Sequence, residues 1–375
     1  MEILLFCTDA FGGQGGIAAV NRDLCRALTA PPLDAKVTAL PRVPPAEAVD
    51  DVPARVEYRS DVAGPPLSYA KDAARATLGA RRGAYACVLC THLNLVPVAY
   101  AAARWHGSPL LLLVHGIEAW TPPDRALARL LAPRADAVAA VSRHTLDRFR
   151  GWADVAEARC AVIPNAVDLD AFSPGPKPAA LLDRYALHDQ TVLFTLSRLS
   201  ADEQYKGHDE VLEMLPTLAE DVPDIAYLIG GDGDDRPRLE RKAERLGVDD
   251  RVVFSGYVPE PEKGAHYRLA DAFVMPGRGE GFGIVYLEAL ASGIPVVAST
   301  ADASREAVRG GQLGAVVDPD DPADVRRGIR AALARERGTV PDGLTYFSQE
   351  AFRTRWQRAV RRATEAPTIL SGEVP

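Results

Sequence analysis

The sequence predicts an α/β protein built from two doubly wound, parallel-sheet domains, and three observations support this prediction. Its 375 residues exceed what a single hydrophobic core usually holds. Apolar runs without polar alternation are separated by helical patterns, which is typical of parallel strands covered on both faces. The alternation stops at a proline-rich stretch, residues 172–178, and then restarts. We therefore expect domains over residues 1–170 and 171–347, followed by a helix and tail over 348–375.

The predicted elements follow the chain in order. Strands are expected at 3–7, 36–40, 86–90, 110–114, 137–141 and 161–163 in the first domain, and at 192–196, 226–229, 252–254, 272–274 and 296–298 in the second. Helices include 17–28, 95–105 and 125–131, then 209–218, 236–246 and 284–291. A last helix, 349–364, follows Ser348 as N-cap, and the tail at 371–375 has no structural pattern.

Composition excludes several classes of protein. A net charge of −8 and a pI near 5.5 argue against nucleic acid as the main partner. The chain shows no signal-peptide pattern and no apolar run long enough to span a bilayer, so a cytoplasmic protein is expected. Five irregularly spaced cysteines do not form a disulfide framework. Arginines are concentrated at 75–82 and 353–362, where a solvated surface is expected and docking on the inner face of an anionic membrane is the alternative.

The most informative stretch is GRGEGFGIVYLEAL, residues 277–290, between a predicted strand and a predicted helix. A glycine-rich loop that leads into a helix exposes backbone N–H groups beside the positive end of the helix dipole, which suits an anion. Gly281 and Gly283 allow a ligand to approach closely. Glu288, in the second helical turn, can accept hydrogen bonds from a diol, whereas Glu280 faces the region beyond the anion. A nucleoside diphosphate sugar offers these groups in this order; the alternative is that Glu288 forms an ordinary pair on the helix surface.

Two basic residues follow the first strand of the second domain. Arg198 comes directly after this strand and Lys206 precedes the next helix, so both fall at the carboxyl edge of the same sheet. A guanidinium fork and a point charge together can neutralise a diphosphate. The alternative partner of Arg198 is Asp202. The intervening carboxylates of Asp202 and Glu203 are expected either to orient the two cations or to face water.

Together these motifs resemble those of the retaining glycosyltransferases of family 4. The most specific motif is E-x7-E, from Glu280 to Glu288. Other matching segments, in the family's order, are Gly12-Gly13, His115-Gly116, residues 162–168, Arg198, Lys206-Gly207 and residues 229–233, 253–258 and 291–297. The resemblance implies the GT-B architecture, in which two Rossmann-like domains face each other across a cleft and a C-terminal helix returns to the N-terminal domain.

The resemblance also implies residue roles. Arg198 and Lys206 would hold the donor diphosphate, Glu288 the ribose hydroxyls, and Glu280 would lie near the transferred sugar. His115 would lie near the reacting sugar, so that Glu280, His115, Arg198 and Lys206 form the expected catalytic set. The other expected donor contacts are Gly13 from the first domain, Val258 beside the nucleobase, and the segment of Gly281, Phe282, Gly283, Ile284 and Val285.

The implied reaction moves a hexosyl-type group from a UDP- or GDP-sugar to an acceptor hydroxyl with retention of configuration. The acceptor would be a glycan, a lipid-linked molecule or a small molecule of cell-surface, glycolipid or natural-product biosynthesis. The resemblance implies no cofactor and no metal, and nothing in the sequence specifies an oligomeric state.

Three alternative interpretations deserve comparison. Residues 13–18 fit the G-x-G-x-x-A pattern of an NAD-dependent oxidoreductase, but the second predicted strand lacks the acidic residue that such a site needs. Asp232 to Asp235 imitate a metal-binding DxD motif, and we expect their side chains to cap the following helix instead. A GT-B sugar-nucleotide epimerase or phosphorylase would share the fold and part of the anion site.

Overall fold

The computed structural model describes residues 1–46 and 48–365, so the tail predicted at 371–375 lies outside the described residues. The chain divides into two compact units. The first unit combines Met1–Ala166 with the stretch that begins at Gln349, and the second is Val167–Ser348. Each unit contains one parallel sheet.

The described residues form thirteen strands. In chain order these are β1 Glu2–Cys7, β2 Lys36–Pro41, β3 Val56–Tyr58, β4 Cys87–Cys90, β5 Leu110–Val114, β6 Ala137–Ala140, β7 Cys160–Val162, β8 Thr191–Leu196, β9 Ile225–Gly230, β10 Val252–Gly256, β11 Ala272–Val274, β12 Val296–Ser299 and β13 Ala315–Val317. The first sheet has the order β3-β2-β1-β4-β5-β6-β7 and the second has the order β10-β9-β8-β11-β12-β13. The predicted pair of doubly wound α/β sheets is therefore confirmed.

Fourteen α-helices lie between or after these strands in the described part of the chain. They are α1 Gly15–Thr29, α2 Pro66–Gly79, α3 Val96–His106, α4 Ile117–Trp120, α5 Ala126–Leu131, α6 Arg143–Arg150, α7 Ala179–Tyr185, α8 His208–Asp221, α9 Arg236–Leu246, α10 Lys263–Leu269, α11 Ile284–Ala291, α12 Ser304–Ala307, α13 Pro322–Leu333 and α14 Gln349–Glu365. Helix α14 returns to the first unit, where the Gln357 side-chain amide donates hydrogen bonds to the carbonyl oxygens of Ala27 (2.8 Å) and Ala30 (2.9 Å).

Most central strands are buried along their full length, and this explains why they read as uninterrupted apolar runs. Strands β5 and β9, for example, contain no exposed residue. The two strands that the sequence did not predict, β3 and β13, are three-residue strands at the edges of their sheets. The expectation of a solvated arginine surface on the last helix is wrong for Arg355, which is buried.

The second sheet reverses its strand order between β8 and β11. The chain proceeds from β8 outward to β9 and β10 on one side, then crosses to β11 and continues to β13 on the other. Ligands of open α/β sheets bind where the order reverses, outside the carboxyl ends of the strands. Both motifs singled out in the sequence fall in the loops that follow β8 and β11, so the topology brings them to one place.

Candidate active site

Lys206 and Glu280 meet where the loops after β8 and β11 come together. The two strands pair directly, with Leu193 opposite Ala272. At their carboxyl ends the Lys206 ammonium donates a hydrogen bond to Glu280 Oε2 at 2.9 Å, and less than a fifth of either side chain is exposed. Burial alone would lower the pKa of Lys206, but the charge of Glu280 and its hydrogen bond outweigh burial and raise the pKa. Lys206 is therefore a fixed cation at physiological pH.

Arg198 lies on the same edge but is far more accessible. Its guanidinium pairs with Glu203, and 79% of its side chain is exposed. The sequence left Asp202 as the alternative partner of Arg198 and gave Glu203 two alternative roles. The structure assigns the ion pair to Glu203. Of the two roles expected for Glu203, orienting a cation or facing water, the structure therefore supports the first.

The backbone of Glu280 is held from the neighbouring loop after β12. The Glu280 amide donates to Asp302 Oδ2 at 2.8 Å, and the Ala303 amide donates to the Glu280 carbonyl at 3.0 Å. The other carboxylate oxygen of Asp302 accepts hydrogen bonds from the amide and hydroxyl of Ser304. Burial raises the pKa of Asp302 to about 6. Sequence reasoning missed Asp302; its position just after a strand that reaches the same sheet edge was the available signal.

Two glycines of the motifs have backbone conformations that a larger residue could not share. Gly283, at the start of α11, has φ of 90°, and a Cβ there would lie 2.5 Å from the Tyr286 ring. Gly231 has φ of 124°, and a Cβ there would overlap the carbonyl oxygen of Ser197. Gly283 thus makes room for the Tyr286 ring at the start of α11, and Gly231 lets its loop lie close against the loop after β8.

Helix α11 begins without a side-chain cap. Gly283 occupies its N-cap position and provides no side-chain cap, so the amides of the first turn have no side chain of the cap to bind. Phe282 is buried against Phe347, with ring centroids 5.7 Å apart, so its backbone is the part that could contact a ligand. Ile284 and Val285, which follow, are partly exposed. This end of the helix can receive an anion.

Glu288 is buried in the second turn of α11, with 5% of its surface exposed. The Tyr267 hydroxyl donates to Glu288 Oε2 at 2.6 Å, and Lys263 Nζ lies 3.7 Å from Oε1. Burial raises the pKa of Glu288, against the opposing effects of Lys263 and Tyr267. An ordinary surface pair is therefore excluded. Lys263 and Tyr267, both on α10, were not found in the sequence because their approach depends on the packing of α10 against α11.

The remaining predicted residues have separate positions. Val258, which follows β10, is buried in the second unit, whereas His115 and Gly13 belong to the first unit. His115 Nε2 lies 3.0 Å from the carbonyl oxygen of Thr91, and burial lowers the pKa of His115 to about 4. Because a carbonyl only accepts, Nε2 carries the proton and Nδ1 is an acceptor. The Arg22 guanidinium donates to the carbonyl of Gly13 at 2.9 Å and shapes its loop.

The predicted capping of α9 by the 232–235 carboxylates is wrong. Asp235 occupies the N-cap position, but its carboxylate accepts hydrogen bonds from Arg238 and Gln204. Asp234 accepts the Ala201 amide at 2.8 Å, which ties this loop to the one after β8. Across residues 1–46 and 48–365, no three His, Cys, Asp or Glu side chains are grouped in a way that could hold a metal ion. No helix within the same ranges has the length and apolarity needed to cross a membrane.

Comparison with known proteins matches both units. Residues 14–171 match the model of Glycosyltransferase Family 4, and residues 184–351 match that of Glycosyl transferases group 1. A GDP-mannose-dependent α-(1-6)-phosphatidylinositol monomannoside mannosyltransferase of Mycolicibacterium smegmatis is 38% identical over 282 residues, 72% of each chain. The phosphatidyl-myo-inositol mannosyltransferase of Mycobacterium tuberculosis is 42% identical over 190 residues, 50% of this chain and 47% of that protein.

A solved structure matches the whole fold. Sucrose-phosphate synthase from Thermosynechococcus elongatus aligns over 97% of this chain and 99% of its own, with a TM-score of 0.76 and 20% identity. At this identity the likeness establishes the fold alone. Family membership excludes the NAD-dependent oxidoreductase suggested by residues 13–18. The chain belongs to glycosyltransferase family 4 and has the GT-B fold.

Proposed function

We propose that the protein transfers a mannosyl group from GDP-mannose to an acceptor hydroxyl, with retention of anomeric configuration and without a metal ion. The observation that carries this proposal is the Lys206–Glu280 pair beside the open start of α11. It combines a cation, a carboxylate and the N-terminus of a helix that has no side-chain cap within one loop junction. UDP-sugars are the alternative donors.

The donor would lie along the carboxyl edge of the second sheet. Lys206, Arg198 and the backbone amides of residues 281–285, which lead into α11, would neutralise its diphosphate. Glu288 would accept hydrogen bonds from the ribose diol through Oε1, since Tyr267 already donates to Oε2. Val258 would lie by the base. The choice of GDP-mannose rests on the M. smegmatis relative, whose name specifies this donor.

The chemistry requires charge to be stabilised where it develops. As the bond from the anomeric carbon to the diphosphate breaks, negative charge grows on the departing phosphate oxygen. Lys206, Arg198 and the helix amides would stabilise this charge more in the transition state than in the ground state. The acceptor oxygen then forms its bond to the anomeric carbon on the same face, and its proton passes to the departing phosphate oxygen.

Two side chains would orient the sugar during this step. Neutral His115 offers Nδ1 as an acceptor for a sugar hydroxyl. Glu280 is held by Lys206 through its side chain and by Asp302 through its amide. This engagement of Glu280 favours the front-face route over a double displacement, in which Glu280 would have to leave Lys206 and attack the sugar from the opposite face.

The acceptor is proposed to be a lipid-linked inositol derivative. The names of both relatives above specify phosphatidylinositol-based acceptors. Such an acceptor would place the reaction at the inner face of the cytoplasmic membrane.

A donor screen tests this function. The purified full chain is incubated without acceptor with GDP-mannose, GDP-glucose, UDP-glucose and UDP-galactose, and the release of nucleoside diphosphate is measured with and without EDTA. We expect the fastest hydrolysis with GDP-mannose, unaffected by EDTA and abolished in Lys206→Ala. Hydrolysis of a UDP-sugar alone would replace the proposed donor, and hydrolysis of none would overturn the donor site.

Retention is tested separately by following the product with NMR. An α-linked product from α-configured GDP-mannose is expected. A β-linked product would contradict both retention and the front-face route.

A further inference from the structure

We infer that Glu203 is a positioning residue that acts as the internal counter-ion of Arg198 and promotes release of the nucleoside diphosphate product. This inference rests on the proposed function. In the described part of the chain, Arg198 makes one ion pair, and that pair is with Glu203. The contact joins Arg198 Nη2 to Glu203 Oε1. The guanidinium therefore keeps its other N–H groups for a phosphate while one end is already held.

The carboxylate of Glu203 sits on an anchored segment. Residues Ala201–Lys206 form a short 3₁₀ segment with a kink at Glu203, and the segment is tied at both ends. The Ala201 amide donates to Asp234 at 2.8 Å, and the Tyr205 carbonyl accepts the Arg278 amide at 2.8 Å. Only 17% of the Glu203 side chain is exposed, against 79% for Arg198. Glu203 is thus a fixed negative charge, and Arg198 is the partner that can shift.

This fixed charge also reaches the second cation. Burial lowers the pKa of Lys206, and Glu280 raises it through its charge and its hydrogen bond. The charge of Glu203 is the next largest effect that raises this pKa. Both cations assigned to the diphosphate therefore face a carboxylate before the donor binds, Arg198 through Glu203 and Lys206 through Glu280. An incoming diphosphate must share or displace these pairs.

Such a carboxylate discriminates between substrate and product by charge. The diphosphate of a nucleotide sugar carries two negative charges because its terminal phosphate is esterified. The released nucleoside diphosphate gains nearly one more above pH 7, since a terminal phosphate has a second pKa near 6. The repulsion from Glu203 is stronger for the product than for the substrate. Glu203 therefore weakens product binding more than donor binding.

The test compares Glu203→Gln with Asp202→Asn. Both variants remove one carboxylate from the same segment and keep a similar shape, but no ion pair of Asp202 is found within the described residues, and it is exposed. The inhibition constant of GDP and the KM for GDP-mannose are measured for each variant at pH 7.5. For Glu203→Gln we expect the GDP inhibition constant to fall about three- to tenfold and KM to fall less, so that their ratio drops. For Asp202→Asn we expect both to stay within about twofold.

A double variant isolates the route through Arg198. In an Arg198→Ala background, Glu203→Gln should tighten GDP binding by less than in the parent, because the competition for the guanidinium is gone. Weaker GDP binding in Glu203→Gln, an equal change for GDP and GDP-mannose, or the same change in Asp202→Asn would overturn the inference. Failure of the parent to bind any nucleoside diphosphate would instead overturn the proposed function, which separates the two.

Discussion

The two carboxylates of the E-x7-E motif occupy opposite environments although they are eight residues apart. Glu280 lies in a loop, pairs with Lys206 at 2.9 Å and is partly accessible to solvent. Glu288 lies in a helix, is buried, and receives a hydrogen bond from Tyr267. Under the proposed function, the loop half of the motif would hold charge near the reacting atoms, and the helix half would present one directed acceptor. A single sequence motif would then serve two physically different tasks.

The largest expected effect comes from removing the cation of the loop half. Lys206→Ala should lower kcat/KM for the donor by about 100-fold or more, because it deletes the charge that we propose stabilises the departing phosphate. The matched control is Lys263→Ala, which removes the cation beside Glu288. This variant should weaken nucleotide binding rather than lower kcat. Steady-state kinetics of the two variants check this comparison. Equal losses of kcat in both would show that the two halves are not specialised.

The helix half is tested by Glu288→Gln, which should weaken GDP binding by about tenfold, as expected for a lost hydrogen bond to a charged group. Its effect on kcat should be small because the ribose does not react. Calorimetry with GDP and with 2′,3′-dideoxy-GDP gives the critical control. The dideoxy ligand should bind parent and variant equally. If the variant binds the dideoxy ligand as much more weakly than the parent as it binds GDP, Glu288 does not bind the diol.

A third prediction concerns pH and the support of Glu280. The pKa of Asp302 is raised to about 6 by burial, so lowering the pH from 7 to 5 protonates its carboxylate and weakens its hold on the Glu280 amide. We expect kcat/KM of the parent to fall across this window. Asp302→Asn should be about fivefold less active at pH 7.5 and insensitive to pH between 5 and 7. If kcat/KM of Asp302→Asn falls between pH 7 and pH 5 as it does in the parent, a group other than Asp302 causes the fall.

The same residue makes a prediction of opposite sign for stability. Because the folded pKa of Asp302 lies above that of an unfolded aspartate, the folded state binds the extra proton between about pH 4 and 6. The contribution of Asp302 to the free energy of unfolding therefore becomes less favourable as the pH rises through this range. Urea unfolding of parent and Asp302→Asn at pH 5 and pH 7 measures this difference.

The smallest effect is expected from Tyr267→Phe, which removes the hydroxyl that donates to Glu288 Oε2. GDP affinity should fall only about two- to fivefold, since Oε1 keeps its position beside Lys263. A loss as large as that of Glu288→Gln would mean that Tyr267, rather than the carboxylate itself, sets the geometry of the diol site. Calorimetry on both variants distinguishes these outcomes.

Sequence reasoning was strongest where a feature is local. The parallel strands were visible as apolar runs, and the loop from Gly277 to Gly283 was visible because glycines and carboxylates are close in the chain. It was weakest where contacts join distant segments. Asp302 supports Glu280 from 22 residues away, and Tyr267 reaches Glu288 through the packing of two helices. The edge strands β3 and β13 were also missed, and each is held by pairing with one neighbouring strand, β2 and β12 respectively.

The return of α14 to the first unit has a consequence for biosynthesis. The second unit is an uninterrupted segment, Val167–Ser348, inserted between the two parts of the first. The carbonyls of Ala27 and Ala30 receive the Gln357 amide only after more than 300 further residues have been translated. The first unit can therefore complete its fold only after the whole of the second unit has been translated, although it is the unit that is begun first.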